Sequence, residues 1–559
     1  MKTLLVGINA KYSHTNLAIR YLRNSLIENN IEALIFESSI NDRKQDIIRK
    51  LFESSANIFC FSCYIWNIDF VLNIAKDIKT ILPQSKVILG GPEVSYNADE
   101  IIAINSFIDC IVCGEGEEIL PEIINDLSNN KNIEKVIFAN LIDEKDIISP
   151  YLINEISKLK DKIIYFETSR GCPYNCSYCL SGGKGGLRFR DINEVKNELL
   201  QIINEGAKLI KFVDRSFNCN QKRAYELFSF LKDINTDATF HFEICANLLR
   251  EQDFLLLSQV KKGKFQFEIG IQSINDKTLH AIDRKFDINL LINNTKKLKQ
   301  QNNIHIHCDL IAGLPYEDIN SFKNSFNKVY TICDVLQLGF LKVLNGSLIK
   351  DQVKEYGIIY SANAPYEIFS NKWLCYEDVL SLKKVEQALN KLSNSKAFVN
   401  TIKYLLNIYN SAFNMFFELA NYLNDRNALF CNVSRKSEFT LLYDFAISKG
   451  IKDNSFYEYL RLDFVSSMKG EPPFPYDKYE KGFYNKCNEF FGNAKNIEKY
   501  IPQYINLSPK NIHKNCFIHC FNFEYKLILL FDRISGKIID ISDSEQIRIK
   551  DKENCSEPS

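Results

Sequence analysis

The sequence predicts an α/β protein built as a doubly wound parallel sheet, then a six-unit β/α partial barrel, then a mixed, mostly helical C-terminal region. Two observations carry the first two parts. Short apolar runs alternate with amphipathic helical stretches up to about residue 120, and a second alternation starts at residue 162. Strand–helix alternation of this kind gives parallel sheets. The third observation is that this pattern stops near residue 365, where long aromatic-rich stretches of helical spacing take over. The implied domains are 1–140, 155–350 and 365–559, with the first junction in the charged, irregular stretch 125–160.

In chain order, strands are expected at 3–8, 32–37, 57–66, 86–91 and in 109–118, with helices at 16–28, 42–54 and 68–82 between them. Ligands of such a sheet lie beyond the carboxyl ends of its strands. The loops to watch are therefore 9–15, 63–67, 90–96 and 114–118. The barrel strands are expected at 162–167, 209–214, 239–246, 265–272, 304–313 and 335–343, with helices such as 192–204 and 221–232 between them. A barrel of this type works at its strand carboxyl ends. In the last region "KLILLFDRISGKIIDI" reads as a hairpin turning at Ser535-Gly536.

The bulk numbers narrow the function classes. Of 559 residues, 46% are apolar and 25% charged, as in ordinary globular proteins. The 69 basic and 69 acidic side chains cancel, which argues against a nucleic-acid binder. No run of 18 apolar residues is present, and the apolar run in "MKTLLVGINAKYSH" is too short for a signal-peptide core, so no membrane span or export is expected. Seventeen cysteines scattered along the whole chain fit reduced thiols in a cytoplasm.

Three of those cysteines stand apart. "ETSRGCPYNCSYCLSG" places Cys172, Cys176 and Cys179 in C-x3-C-x2-C spacing, directly after the first barrel strand. Thiolates suit zinc or iron–sulfur clusters. Structural zinc needs four protein ligands, and the next cysteine, Cys219, lies beyond another strand. Three thiolates on one loop instead hold three irons of a [4Fe–4S] cube and leave the fourth open. Gly171 and Pro173 shape the turn, and "SGGKGG" (181–186) offers backbone amides to sulfur or ligand.

This stretch, with Tyr178 before the last cysteine, resembles the cluster motif of the radical S-adenosylmethionine (radical SAM) superfamily. "KFVDRSFN", "HFEICAN", "FEIGIQS" and "IAGLPYED" resemble the later strand ends of its barrel. The family's usual Gly-Gly-Glu is replaced here by "KFVDRSF". The resemblance implies that the open iron chelates S-adenosylmethionine, which is reductively cleaved to a 5′-deoxyadenosyl radical. By position it implies cofactor contacts at Tyr178, Asp214, Glu243, Glu268, Gln272 and Gly313, with Asp309 similarly placed. Pairing of the acids with Arg188, Arg190 or Arg250 is the alternative, and Arg188 and Arg190 in "LRFR" could equally face an anionic part of the cofactor.

The first region, with "GGPEVSY", "CGEGEE" and "INAKYSHTNLAIRYL", resembles the Rossmann-like cobalamin-binding domain fused ahead of one large radical SAM class. Gly90, Gly91, Pro92, Gly114, Glu115 and Gly116 then mark the corrin edge, the glycines letting backbone pass close to it. The D-x-H-x-x-G signature is absent, and His14 reads as an ordinary loop histidine. The last region resembles an uncharacterised extension found on some of these proteins.

The resemblance implies a cytoplasmic, anaerobic enzyme using a [4Fe–4S] cluster, S-adenosylmethionine and cobalamin to methylate, or alternatively rearrange, an unactivated carbon. Its substrate is a small molecule or peptide and its partner a low-potential donor such as flavodoxin or ferredoxin. The alternatives are a tRNA methylthiotransferase-like enzyme and a non-catalytic cluster or corrinoid sensor. Two decoys are set aside. Cys60/Cys63 and Cys110/Cys113 fall in strands, where residues three apart face opposite sides. "NIHKNCFIHC", with His513, Cys516, His519 and Cys520, reads as a loop before a strand.

Overall fold

The computed structural model describes residues 1–559 apart from 160, 183–185, 477–481, 545–546 and 548–559. It forms two compact units, residues 1–382 and 383–559.

The first unit opens with a six-stranded parallel sheet. Its strands are β1 (Thr3–Asn9), β2 (Ala33–Ser39), β3 (Ile58–Ser62), β4 (Lys86–Gly90), β5 (Cys110–Cys113) and β6 (Val136–Phe138), in the order β2-β1-β3-β4-β5-β6. β6 adds a sixth strand to the five that the sequence predicts. Its three residues are too short to show a period, and pairing with β5 decides them. Period-two alternation splits each strand between two cores. Val6, Phe61 and Leu89 pack with Val71 and Ile74 of the helix Ile68–Ile81. Leu5, Ile58 and Ile88 pack with Ile19 and Leu26 of the helix Leu17–Glu28. The four strand cysteines follow the same rule: Cys60 and Cys110 lie in one core, Cys63 and Cys113 in the other. Neither C-x2-C pair can chelate one ion from opposite faces of a sheet.

A second six-stranded parallel sheet follows. It comprises β7 (Ile164–Phe166), β8 (Leu209–Phe212), β9 (Thr239–Glu243), β10 (Phe265–Gln272), β11 (His305–Ala312) and β12 (Val335–Phe340), ordered as in the chain. Asp191 and Asn220 cap the intervening helices Ile192–Asn204 and Gln221–Asp233 by accepting from first-turn amides. The helix-facing side of the sheet is aromatic. Phe166, Phe212, Phe240, Phe242, Phe265 and Phe267 are fully buried, and Phe212 stacks on Phe242 at 4.7 Å. Each such ring contributes ~1.5–3 kcal/mol by burial. The opposite, concave side is polar.

The second unit contains the helices Val399–Tyr409, Ala412–Asn424, Arg435–Ser448 and Asn454–Ser467. An antiparallel sheet of Cys516–Asn522, Lys526–Asp532 and Ile538–Asp540 closes it, the last two strands turning through Ser535-Gly536. The stretch read as a loop at 511–515 is instead part of the helix Pro509–Asn515, running straight into a strand. Cys516 and Cys520 enter the core with Ile518, while His519 projects from the other face onto Phe517 and Phe531. No described helix is long and apolar enough to cross a membrane.

Candidate functional site

The cysteine loop leaves β7 and closes on itself. Ser169 and Arg170 pair antiparallel with Phe189 and Arg188. Gly171 sits at φ +91°, and a Cβ there would lie 2.2 Å from the Gly186 carbonyl oxygen, so only glycine permits the closure. Of "SGGKGG", residues 183–185 lie outside the described residues. Cys172 and Cys179 are half-buried and Cys176 is buried, all as free thiols. The Ser181 amide donates to Cys179 Sγ at 3.4 Å.

Asp214, at the end of β8, holds this loop at its root. Its carboxylate accepts from the Thr168 amide (2.9 Å), Thr168 Oγ1 (2.7 Å) and Ser169 Oγ (2.6 Å). It is 1% exposed, and burial raises its pKa. With both oxygens engaged by protein, its geometry suits loop positioning.

Arg284 was not flagged by sequence. Its Nη1 lies 3.5 Å from Cys176 Sγ and 3.4 Å from Tyr178 Oη, and its Nη2 donates to the Gly270 carbonyl. Its Nε is buried without a partner, and the guanidinium lies over Phe286 at 4.6 Å. No carboxylate of the described residues pairs with it. A buried guanidinium beside the Cys176 thiol and without an acid has the chemistry to receive an anion.

Gln272 ends β10 at φ +69°, within a register shift against β11, and its Oε1 is buried without a partner. Such strain in a non-glycine residue is typical of functional positions. Gly313 has φ +89°, and a Cβ there would meet Ile368 Cγ2 at 2.8 Å. Glu243 ends β9 with no hydrogen bond to its carboxylate; burial raises its pKa and Arg215 opposes the rise.

Glu268 lies elsewhere than expected. It is four residues before Gln272, hence ~13 Å deeper. Its Oε2 accepts from Lys211 Nζ (3.0 Å) and His241 Nε2 (2.9 Å). Burial works to raise its pKa, but those two bonds and the Lys211 charge outweigh it and hold the carboxyl near about 2. Asp309 is likewise mid-strand in β11, with Oδ1 buried and unpartnered; burial and the neighbouring Glu268 and Glu243 push its pKa well up. Neither acid pairs with Arg188, Arg190 or Arg250, since Arg250 binds Asp253. Arg190 binds Glu198 and the Glu167 carbonyl, so it does not face a cofactor.

Arg188 is also taken. Both of its terminal nitrogens donate to Glu115, which further accepts from the Ile142 amide at 2.9 Å. Arg170 lies 3.3 Å from the same carboxylate and 2.8 Å from Glu117. Glu115, expected at the corrin edge, thus ties the first sheet to the cysteine loop. The glycines of that edge also have protein neighbours. Gly91 is at φ +112°, where a Cβ would lie 2.5 Å from the Cys63 carbonyl oxygen. Gly114 abuts Ala139 and Gly116 abuts Leu22, while Pro92 is exposed. Gly91, Gly114 and Gly116 thus bring loops together, while Gly90 meets only the Val112 carbonyl oxygen, at 3.6 Å. The same edge carries a stacked Tyr64–Trp66 pair, centroids 4.4 Å apart, with Trp66 45% exposed. His14 reaches Tyr165 of β7, Nδ1 to Oη 3.2 Å.

Three family descriptions fit this arrangement in order. Residues 3–124 match the B12 binding domain, 166–329 the Radical SAM superfamily, and 354–535 a protein of unknown function (DUF4080). The chain thus carries a B12-binding-type domain ahead of a Radical SAM-type domain.

Among curated proteins similar to this chain, the cobalamin-dependent radical SAM methyltransferase TokK of Streptomyces tokunonensis is 25% identical over 54% of this chain and 49% of its own. The 2-(S-pantetheinyl)-carbapenam-3-carboxylate methyltransferase of Streptantibioticus cattleyicolor is 25% identical over 49% and 44%. The chain thus spans about half the length of these relatives or less. The cobalamin-dependent S-adenosylmethionine radical enzyme OxsB, solved with aqua-cobalamin, covers 83% of this chain and 84% of its own at TM-score 0.58 and 14% identity, a likeness of fold.

Proposed function

We propose that this chain is a cobalamin-dependent radical SAM enzyme that methylates an unactivated carbon of a small molecule. The observation that carries the reading is the cysteine loop at the carboxyl end of the first barrel strand, with the acid-free guanidinium of Arg284 against Cys176. When bound, the [4Fe–4S] cluster supplies the electron that cleaves S-adenosylmethionine to a 5′-deoxyadenosyl radical, and cobalamin supplies a methyl carrier.

The chain's own residues fit these groups. Cys172, Cys176 and Cys179 would hold the cluster through three thiolates and leave it open to the amino and carboxylate groups of S-adenosylmethionine. Arg284 receives that carboxylate, and the unpartnered Gln272 Oε1 accepts from a cofactor hydroxyl or amine. Tyr178 and Gly313 shape the same mouth, and Asp214 holds the loop. Gly90, Gly91, Pro92, Gly114 and Gly116 shape the edge where the open face of Trp66 offers a flat surface to the corrin. The sixteen described cysteines are all free thiols, which suits an anaerobic cytoplasm with flavodoxin or ferredoxin as donor. A methylthiotransferase would gather further cysteines at the first sheet's edge; the cysteines there divide between two cores.

The test is anaerobic reconstitution with iron, sulfide, cobalamin, S-adenosylmethionine and a strong reductant. Wild type forms 5′-deoxyadenosine, Cys176→Ala forms at least 100-fold less, and S-adenosylhomocysteine appears with cell extract only when cobalamin is present. No 5′-deoxyadenosine from iron-loaded wild type contradicts the reading.

A further inference from the structure

Side chains on the concave face of the second sheet determine what its lumen can hold, and strand register puts them in layers. One layer joins Tyr165, Lys211, His241, Gln266 and His305 across five strands. The next joins Glu243, Glu268 and His307, and the third sets Asp309 between Gly270 and Gln337. A lumen that held an apolar molecule would present aliphatic or aromatic side chains here, as the helix-facing side of the same strands does.

The layers are wired internally, which defines what is left over. Lys211 and His241 both use Oε2 of Glu268, and His305 Nδ1 lies 2.8 Å from His307 Nε2. Glu268 Oε1 takes part in neither bond. Among the described residues none hydrogen-bonds the Glu243 carboxylate, and Asp309 Oδ1 is shielded from solvent with no partner. The spare capacity is mainly carboxylate oxygen, in a space that remains accessible: the Lys211 and Glu268 side chains are 27% and 21% exposed. Gly339 leaves the neighbouring strand without a side chain beside these acids, while the Gln272 side chain covers Gly270 above them. The lumen is also close to both cofactor edges. Glu268 is ~13 Å below Gln272 at the mouth, and His14 of the first sheet's loop 9–15 contacts Tyr165 in the lowest layer.

We propose that this lumen is the substrate site, and that it takes a polar group carrying hydrogen-bond donors, a hydroxyl or an ammonium, seated on Glu243, Glu268 and Asp309. The assignment rests on the radical SAM reading for calling the occupant a substrate. It makes the substrate a hydrophilic small molecule, with a donor-rich end held below the radical and the reacting carbon nearer the mouth.

The test uses three probes on one six-membered ring: cyclohexylamine, cyclohexane-1,2-diol and methylcyclohexane. Binding to the reconstituted holoenzyme is read by saturation-transfer NMR, with 5′-deoxyadenosine measured in the same samples. The amine or the diol binds at least tenfold more tightly than methylcyclohexane, and which of the two wins tells ammonium from hydroxyl. Glu268→Gln weakens that probe at least tenfold. Glu243→Gln, which breaks no ion pair and so keeps the fold, weakens it at least threefold. Methylcyclohexane binding as well as the polar probes, or both variants binding like wild type, overturns the lumen assignment. Polar binding without any 5′-deoxyadenosine overturns the enzymatic reading and leaves the lumen a polar binding site.

Discussion

Replacing Arg188 by Met tests the tie between the first sheet and the cysteine loop. Glu115 and Arg188 are 19% and 13% exposed, so their bidentate pair is mostly shielded from water. Breaking a fully buried pair costs ~3–5 kcal/mol, and an exposed one ~0–1 kcal/mol. This pair, lying between, is worth ~2 kcal/mol. The Ile142 amide reports on it directly, because it donates to Glu115 Oε2 and its carbonyl accepts from Arg188. With Arg188→Met, local opening around Glu115 becomes ~30-fold more frequent. Hydrogen–deuterium exchange at Ile142 therefore speeds by that factor, while exchange in the β1 and β3 core stays unchanged. The double variant with Glu115→Ala adds little to Glu115→Ala alone, since both substitutions remove the same interaction. Ile142 exchange within threefold of wild type in Arg188→Met would refute the tie.

Three further outcomes are expected. Gly91→Ala costs ~2–4 kcal/mol, because the Cβ meets the Cys63 carbonyl at 2.5 Å in a left-handed backbone, whereas Gly90→Ala, whose nearest neighbour is 3.6 Å away, costs under ~1 kcal/mol; thermal unfolding of the two variants compares them. Burial first, then His305 and His241, lowers the His307 pKa from 6.5 to about 4. The unfolded chain thus takes up a proton that the folded one refuses, and stability falls as pH drops from 6.5 to 4. A His307→Gln variant loses less of its unfolding temperature over that window than wild type does. Arg284→Met raises the KM for S-adenosylmethionine at least tenfold, read as 5′-deoxyadenosine formation, while its iron content stays at the wild-type level; an unchanged KM removes Arg284 from the cofactor site.

The parts legible in the sequence are those written locally. Strand–helix alternation places both parallel sheets because each strand carries its own period, and the cysteine spacing needs only eight residues to show an open-site ligand set. β6 was missed because three residues carry no period. Arg284, Glu115 with Arg188, and Lys211 with Glu268 were missed or misassigned for a different reason. Each joins residues far apart in the chain, and nothing near either partner indicates the other. Gly91, Gly114 and Gly116 at the first sheet's edge make room for atoms of Cys63, Ala139 and Leu22, partners distant in sequence that local spacing does not reveal. Glu268 looked like a mouth residue because sequence shows that a strand carries an acid, not its depth along an eight-residue strand.

In the proposed function, Cys172, Cys176 and Cys179 hold a cluster with one iron open to S-adenosylmethionine. Low-temperature electron paramagnetic resonance of the reduced, reconstituted protein tests it most directly. The expected result is a [4Fe–4S]+ signal that changes shape when S-adenosylmethionine is added and is absent from Cys176→Ala. A cluster signal indifferent to S-adenosylmethionine, or one that survives loss of Cys176, would contradict it.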